Sequence, residues 1–410
     1  MHPSHIFANP GRTKLALVSR GVALPEGLSR PSRWLSQVNA VETVVDIMLP
    51  SGHFATVPVG QPFTQGSPIV LHEEDGKAWL VCDNERLDVE LIKAPKYYHQ
   101  STRAGARMGS FSSLHDRLLM LNPLLGCGFF ARENQACHYC QYDSLLNEAV
   151  PPLRDPLELV EVVRAALSER DIDTVYLYNA YAPGDDAGLA RLVPVLALLR
   201  RHLGHRQIAL ETVAPHDVSV INELYAAGLD IFICNMELND VDAFARICPG
   251  KEAHGGQVAI RAALHRAVDV FRQGAVVSHL IPGLEPLEST KAGMEALVNH
   301  GVVPLLVPFR PLPGTALEHQ QAPDLADIEQ ALLHLYGLLA SSGLPTHRLR
   351  DMGRVMTPME GRVLSGERGA LRDHLDGLVT TSAGRWIGGW MDKFQRRLRV
   401  QHVDSGSKKS

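Results

Sequence analysis

Three cysteines in one short loop are the residues of this sequence whose types and spacing point most clearly to chemistry. Cys127, Cys137 and Cys140 are separated by nine and by two residues. The apolar run 117–125 before them is typical of a buried strand, so we expect the loop just past a strand's carboxyl end. Active sites of α/β folds are built there. Soft thiolates at this density favour zinc or an iron–sulfur cluster.

The number of thiolates bears on which metal group they would hold. A structural zinc site is closed by four ligands. The fourth would be His138, or a residue from afar such as Cys234 or Cys248. Three cysteines on a cubane cluster would instead leave one iron open to another ligand. The cysteines alone leave a cluster, a zinc site and unligated thiols all open.

The composition limits the classes of protein to which this chain can belong. The chain has 410 residues, 45% hydrophobic and 21% charged, with a formal net charge of −5. The mild negative charge argues against nucleic-acid binding by bulk electrostatics. We expect no membrane span and no signal peptide, because the longest apolar runs are too short. Six cysteines, three of them clustered, suggest ligands in a reducing, cytoplasmic compartment rather than disulfides.

The hydrophobic pattern of the sequence changes along its length. Short alternating runs with turn signals, such as the acidic turn 73–76, predict a small antiparallel β domain. A polar connector follows, and then strands alternate with helical periodicity. The predicted parts are a partly disordered segment 1–35, a β domain 36–96, a connector 97–113, a barrel 114–317, a helical extension 318–400 and a polar tail 401–410.

The alternating part predicts the fold class. Six predicted strands begin with the run 117–125, and each is followed by a helix or a long loop. Repeated right-handed crossovers make a parallel sheet. Six units rather than eight favour a partial parallel (β/α)6 barrel, open on one side for a substrate.

Acidic residues follow several of these strands. The second strand leads into a loop with Asn179, Gly184, Asp185 and Asp186. The third and fourth strands end near Glu211 and Glu237. Carboxylates there would suit a ribose or an ammonium group; helix caps and ion pairs explain them equally well.

The cysteine loop and the strand ends together resemble the radical S-adenosylmethionine (SAM) superfamily. An aromatic residue, Tyr139, precedes the last cysteine, as is usual in that superfamily. The acidic loop at 184–186 stands where the superfamily carries Gly-Gly-Glu. The stretch around Gly283 is similar to its adenine-side element, and 308–315 to a Pro-x-x-Gly-Thr ending of biotin-synthase-like members. The first cysteine spacing, nine residues instead of three, departs from the usual pattern.

The resemblance covers about 114–317 and implies a mechanism. Cys127, Cys137 and Cys140 would hold a [4Fe–4S] cluster, whose open iron binds SAM. One-electron cleavage of SAM would give a 5′-deoxyadenosyl radical that abstracts hydrogen from a small-molecule substrate. Tyr139 would lie near the adenine. The acidic loop would bind the SAM ammonium group, and an electron donor such as flavodoxin or ferredoxin would supply the electron.

Other outcomes stay open at this stage. The unusual spacing is compatible with an enzyme that transfers a 3-amino-3-carboxypropyl or methyl group from SAM. A zinc-binding structural or regulatory module would need no SAM. The small β domain and the 247–251 loop also resemble a group of radical SAM proteins encoded beside nitrilases, in which Cys248 and Lys251 would lie on the substrate side.

The cysteine loop gives a direct prediction. Replacing Cys127, Cys137 or Cys140 by Ser should abolish SAM cleavage and sharply reduce bound iron and sulfide, because a hydroxyl is hardly ionised and is a hard donor. Replacing Cys82, Cys234 or Cys248 should leave the cluster in place. A full cluster in Cys127→Ser, with loss in Cys234→Ser or Cys248→Ser, would put the third ligand elsewhere.

Overall fold

Two β-sheets and the helices around the second one make up most of the described structure. The structure is a computed structural model that describes residues 6–25, 35–38, 42–141, 150–349, 352 and 356–366. The predicted C-terminal helix before residue 400 and the polar tail 401–410 lie outside these residues. No helix within the described ranges is long and apolar enough to cross a membrane.

The first sheet is antiparallel, as the alternating runs predicted. Its order is β1-β2-β6-β5-β4, and β3 pairs with β2. The predicted acidic turn joins β4 to β5, with Asp75 and Gly76 at φ of 52° and 78°, the left-handed values that a tight hairpin turn requires. The strands are β1 Leu35–Val38, β2 Glu42–Met48, β3 Phe54–Pro58, β4 Ile69–Glu74, β5 Lys77–Cys82 and β6 Glu85–Ile92.

The second sheet contains the predicted parallel strands. Its order, β13-β12-β11-β10-β9-β8-β7, follows the chain, which is the order in a β/α barrel rather than in a doubly wound sheet. The partial-barrel curvature stays a prediction. The strands are β7 Ser112–His115, β8 Leu118–Leu121, β9 Thr174–Tyr178, β10 Gln207–Thr212, β11 Ile231–Cys234, β12 Val276–Leu280 and β13 Val303–Leu306.

The start of this sheet differs from the prediction in one respect. The strand predicted over 117–125 is β8, which pairs in parallel with β9. On its other edge β8 forms an antiparallel hairpin with β7, so the sheet is mixed. The turn residue Asp116 has a φ of 49°. The sequence 112–115 is too short and too polar for its periodicity to reveal a strand.

Helices connect the strands and cover the sheet. They are α2 Pro156–Glu169, α3 Val193–Leu203, α4 Val220–Ala227, α5 Val241–Ile247, α6 Pro249–Ala253, α7 Gly256–Val270, α8 Leu287–Asn299, α9 Leu325–Ser342 and α10 Pro358–Ser365. The sequence predicts a helix over 217–227 with Asp217 as its N-cap, and this N-cap is wrong by two residues. Ser219 precedes that helix, and the carboxylate of Asp217 accepts from the Ser219 backbone N–H at 3.0 Å.

A helix near the N-terminus lies within 1–35, the segment predicted to be partly disordered. Helix α1 spans Pro10–Arg20, and Asn9 caps it by accepting from the Gly11 N–H at 2.8 Å. Its Lys14 is buried and donates to Glu360 of α10 at 2.6 Å. A lysine on a buried face interrupts the apolar pattern, so periodicity missed this helix.

The Lys14–Glu360 pair gives a prediction about stability. Burial alone would raise the pKa of the Glu360 carboxyl, but the Lys14 ammonium and hydrogen bonds from Lys14 and Thr357 hold that pKa below its ordinary value. The pair therefore stabilises the fold fully above about pH 4.5, and this stabilisation is lost as pH falls through the lower folded pKa. Lys14→Met leaves a buried carboxylate without its cation. It should lower the unfolding free energy by about 3–5 kcal/mol in denaturant titrations near pH 7.

The surface pair Lys291–Glu288 is the matched control, since the Glu288 side chain is 81% exposed. Lys291→Met should change the unfolding free energy by less than about 1 kcal/mol. Equal effects of the two replacements would show that the α1–α10 contact does not stabilise the fold.

Candidate functional site

A cavity of about 230 Å³ lies at the carboxyl ends of the parallel strands. Residues at or just after the ends of β9, β10, β11, β12 and β13 line it, together with the cysteine loop. Apolar and aromatic side chains such as Met120, Phe309 and Met352 form much of the wall. A few polar side chains converge among them, which is the usual composition of a small-molecule site.

The cysteine loop forms one side of this cavity. Cys127, Cys137 and Cys140 all line it, and every cysteine in the described residues is a free thiol. The Cys140 N–H donates to the Cys137 carbonyl at 3.0 Å, which makes a tight turn between the last two cysteines. Burial raises the pKa of the Cys127 thiol. Three soft donors therefore share one space.

A short corner between two helices packs directly on the cysteine loop. This corner, residues 247–251, joins α5 to α6. The His138 N–H donates to the Ile247 carbonyl at 2.9 Å, and the Gly250 N–H donates to the Gln135 carbonyl at 3.1 Å. A Cβ on Gly250 would lie 2.3 Å from the Gln135 oxygen and 2.6 Å from Phe129. Only glycine permits this approach.

The 247–251 corner brings two more functional groups to the cysteines. Cys248 adjoins Cys137, and this proximity lowers the pKa of the Cys137 thiol and raises that of the Cys248 thiol. Lys251 forms an ion pair with Glu237. Burial alone would lower the pKa of Lys251, but the Glu237 carboxylate raises it well above its ordinary value. The ammonium is therefore charged.

Glu237 has an unusual backbone conformation. Its φ is 60°, a left-handed value that costs a residue with a Cβ roughly 1–3 kcal/mol. Two hydrogen bonds to the neighbouring strand end hold it, from Glu237 N–H to the His279 carbonyl at 3.0 Å and from Ile281 N–H to the Glu237 carbonyl at 2.8 Å. These bonds direct the carboxylate toward Lys251 at the cavity wall.

A second carboxylate, Glu211, stands at the end of β10. It accepts hydrogen bonds from the Tyr176 hydroxyl and from the Asn235 amide, the latter at 2.5 Å. The Nδ1 atom of His279 is 3.7 Å from it. Side chains from β9, from the residue after β11 and from β12 thus converge on one carboxylate that lines the cavity.

Several buried polar atoms at this cavity lack a hydrogen-bond partner in the described structure. They are Asn179 Oδ1, His279 Nε2 and Gln141 Oε1, and all three residues line the cavity. Buried polar atoms are nearly always paired in proteins, so these atoms are available to water or to a bound group. A ligand with hydrogen-bonding groups would satisfy them.

The three thiols are the donor set that a zinc ion or an iron–sulfur cluster would use. Within the described residues, no group of three His, Cys, Asp or Glu side chains is assembled to hold a single metal ion. A tetrahedral zinc site needs its ligands on one centre, whereas a cubane cluster takes each thiolate on a different iron. Three thiols that line one cavity have the chemistry that a cluster requires.

The structure brings together only some of the residues predicted for the site. Tyr139, Asn179, Glu211 and Glu237 line the cavity with the cysteines. Gly184, Asp185, Asp186 and Gly283 are not among its lining residues.

The acidic loop makes other contacts. The Asp186 carboxylate accepts from the N–H groups of Gly188 and Ala190, at 3.0 and 2.8 Å, and so caps a short 3-10 helix. The Asp185 carbonyl accepts from the His216 N–H at 2.7 Å. Contact of these aspartates with SAM stays a prediction.

Sequence reasoning missed some residues of the polar wall. Tyr176 lies inside β9, where its aromatic ring resembled core, and Asn235 follows the last residue of β11. An amide directly after a strand of apolar residues was the available signal. The meeting of both with Glu211 depends on the alignment of three strands, which no local pattern encodes.

The contact between the 247–251 corner and the cysteine loop can be tested with one methyl group. Gly250→Ala should displace the corner and reduce the iron and sulfide retained after anaerobic reconstitution, because the added Cβ would overlap Gln135 and Phe129. Gly337→Ala on α9 is the control, since a Cβ there meets nothing within 4 Å. Equal iron content in both variants would show that the corner does not support the cysteine loop.

Comparison with known proteins gives one sequence relative. No protein-family model matches the chain. Over 164 residues it is 28% identical to bacteriochlorophyllide c C-7(1)-hydroxylase of Chlorobaculum limnaeum. This match covers 38% of this chain and 41% of that enzyme. The chain therefore matches less than half of the hydroxylase's length.

Solved structures give only distant likenesses. The [FeFe]-hydrogenase maturase HydG matches with a TM-score of 0.46 at 14% identity, over 58% of this chain and 56% of that one. A radical SAM methyltransferase from Sphaerobacter thermophilus matches with a TM-score of 0.42 at 14% identity, over 68% and 76%. Methylornithine synthase PylB matches with a TM-score of 0.41 at 17% identity, over 59% and 71%. Likenesses of this size establish no shared activity.

The cysteine loop lies where the active site of a parallel α/β sheet is expected. Cys127, Cys137 and Cys140 line the cavity at the carboxyl ends of the parallel strands. Over part of its length the chain is similar to the hydroxylase, and its membership of the radical SAM superfamily stays a proposal.

Proposed function

We propose that this chain is a radical SAM enzyme that acts on a small-molecule substrate. In this proposal Cys127, Cys137 and Cys140 hold a [4Fe–4S] cluster, and SAM and the substrate occupy the cavity beside it. The observation that carries the proposal is that the three thiols share one cavity with buried polar atoms that lack partners.

The chemistry divides between the bound groups and the chain. When bound, the cluster supplies the electron that cleaves SAM to methionine and a 5′-deoxyadenosyl radical, which takes a hydrogen atom from the substrate. The chain's own residues would bind and orient SAM and the substrate, and would exclude water from the site. The apolar wall, with Met120 and Phe309, would keep water from the reacting atoms, and Tyr139 would pack near the adenine.

Glu211 is our candidate for the residue that binds the SAM ammonium group. Tyr176 and Asn235 donate hydrogen bonds to its carboxylate and orient it at the cavity wall. Glu237, the other carboxylate of the wall, is paired with Lys251. The free amide oxygen of Asn179 would accept a further hydrogen bond from a ribose hydroxyl or an ammonium group.

The substrate and the electron donor are proposed only by class. The sequence relative is named for hydroxylation at one carbon, and a reaction of that kind breaks a C–H bond, which agrees with hydrogen abstraction. The cavity wall, mostly apolar with a few polar groups, suits a small organic molecule. A small one-electron carrier such as flavodoxin or ferredoxin would reduce the cluster.

Anaerobic reconstitution with iron and sulfide tests the proposal directly. We expect iron and sulfide in the ratio of a [4Fe–4S] cluster, and 5′-deoxyadenosine with methionine after addition of SAM and dithionite. Methylthioadenosine as the product would favour transfer of the 3-amino-3-carboxypropyl group instead. Tight binding of one zinc, without iron–sulfide absorption, would contradict the proposal.

The role of Glu211 gives a separate prediction. Glu211→Gln should weaken SAM binding by about 10- to 100-fold, because a hydrogen bond to a charged group contributes about 1.5–3 kcal/mol. Equilibrium binding of SAM to the reconstituted protein measures this, with iron content as the control for the cluster. The double variant Asp185→Ala, Asp186→Ala tests the acidic loop in the same assay. If only the double variant loses affinity, the ammonium lies at the acidic loop and our choice of Glu211 is wrong.

A further inference from the structure

The 247–251 corner carries chemistry that cluster binding by itself does not require. It presents a fourth thiol, Cys248, and an ammonium group, Lys251, on the same side of the cysteine loop. Two backbone hydrogen bonds and the close approach of Gly250 fix the corner against residues 135–138. The thiol and the ammonium are thus held in place rather than brought there by mobile side chains.

We infer that the 247–251 corner sets the reduction potential of the cluster proposed above. In this inference Cys248 donates its S–H to the ligand sulfur of Cys137, and Lys251 places a positive charge beside it. The inference rests on the proposed cluster and adds two residues that tune the cluster without ligating it.

The physical reason lies in the charge that reduction adds. One electron from an external carrier enters the cluster, no bond to the corner forms or breaks, and the negative charge on the sulfurs increases. Hydrogen bonds to the sulfurs and nearby positive charge stabilise the reduced form more than the oxidised form. Both groups therefore raise the potential and make the cluster easier to reduce.

Burial makes these effects large. Cys248 is fully buried, and the Lys251 side chain is 13% exposed. Water screens charges weakly in such a place, so hydrogen bonds and charges act more strongly than at the surface.

The ion pair does not cancel the charge of Lys251 at the thiol. Glu237 neutralises the pair as a whole, but Lys251 belongs to the corner that packs on the cysteine loop, whereas Glu237 is held by backbone hydrogen bonds to the end of β12. The pair therefore acts at the cysteine as a dipole with its positive end toward the sulfur. Removing either partner should shift the potential, and in opposite directions.

The experiment is a redox titration of the reconstituted protein without SAM, in which electron paramagnetic resonance measures the fraction of reduced cluster. Cys248→Ala and Lys251→Met should shift the potential to more negative values, each by at least a tenfold change in the reduction equilibrium, about 59 mV for one electron. Glu237→Gln should shift it to more positive values. Cys248→Ser should stay close to the native protein, because its O–H still donates. Cys82→Ala, a buried thiol on β5, should cause no shift.

Each result tests either this inference or the proposed function on which it rests. Absence of a cluster in the native protein would overturn the proposed function itself. Unchanged potentials in Cys248→Ala and Lys251→Met, with normal iron content, would overturn only the inference. Loss of iron in Cys248→Ala would make Cys248 a ligand and would also overturn it. If Lys251→Met does not fold, the difference in reduction potential between Cys248→Ala and Cys248→Ser still tests the inference.

Discussion

The cysteine loop depends on backbone hydrogen bonds that it cannot make by itself. A loop without regular structure must find partners for its buried N–H and C=O groups elsewhere. The Gly128 N–H donates to Tyr181 at 2.8 Å, and the His138 carbonyl accepts from the Leu317 N–H at 3.3 Å. The 247–251 corner supplies the other two contacts. The loops after β9, α5 and β13 therefore hold the thiols in place.

This arrangement explains why the cavity requires the whole parallel sheet. Each connection that anchors the cysteine loop starts from a different strand or helix, so the thiols keep their positions only while those elements stay in register. The same strand ends carry the polar wall around Glu211 and Glu237. The elements that position the proposed cluster thus also position the groups proposed to bind SAM.

The charges in the cavity come at a cost in stability that function would explain. Burying Lys251 with Glu237 requires removing both from water, and a hydrophobic pair of the same volume is often as stable or more so. Glu237 adds backbone strain. Buried charges and strain that gather at one cavity are typical of sites selected for binding or electron transfer rather than for stability. The buried pair Lys14–Glu360 lies apart from the cavity, between α1 and α10, and is interpreted as structural.

The sequence by itself determined the local features. Alternating runs predicted β2 to β6, and apolar runs between helical segments predicted the six parallel strands, together with the acidic turn between β4 and β5 and the position of the cysteine loop after β8. The prediction missed the short strands β1 and β7, helix α1 with its buried lysine, and the short helices α5 and α6. These errors arise where ion pairing or hairpin formation outweighs local propensity.

Only the tertiary structure decided which side chains meet. Cys248 is distant from Cys137 in sequence, and its residue type made it one of several candidate neighbours of the cysteine loop without deciding among them. The convergence of Tyr176, Asn235 and Glu211 likewise follows from the register of β9, β10 and β11. A pattern along the chain records which face of an element is buried. It does not record which polar residues at the strand ends lie together, because strand alignment sets those distances.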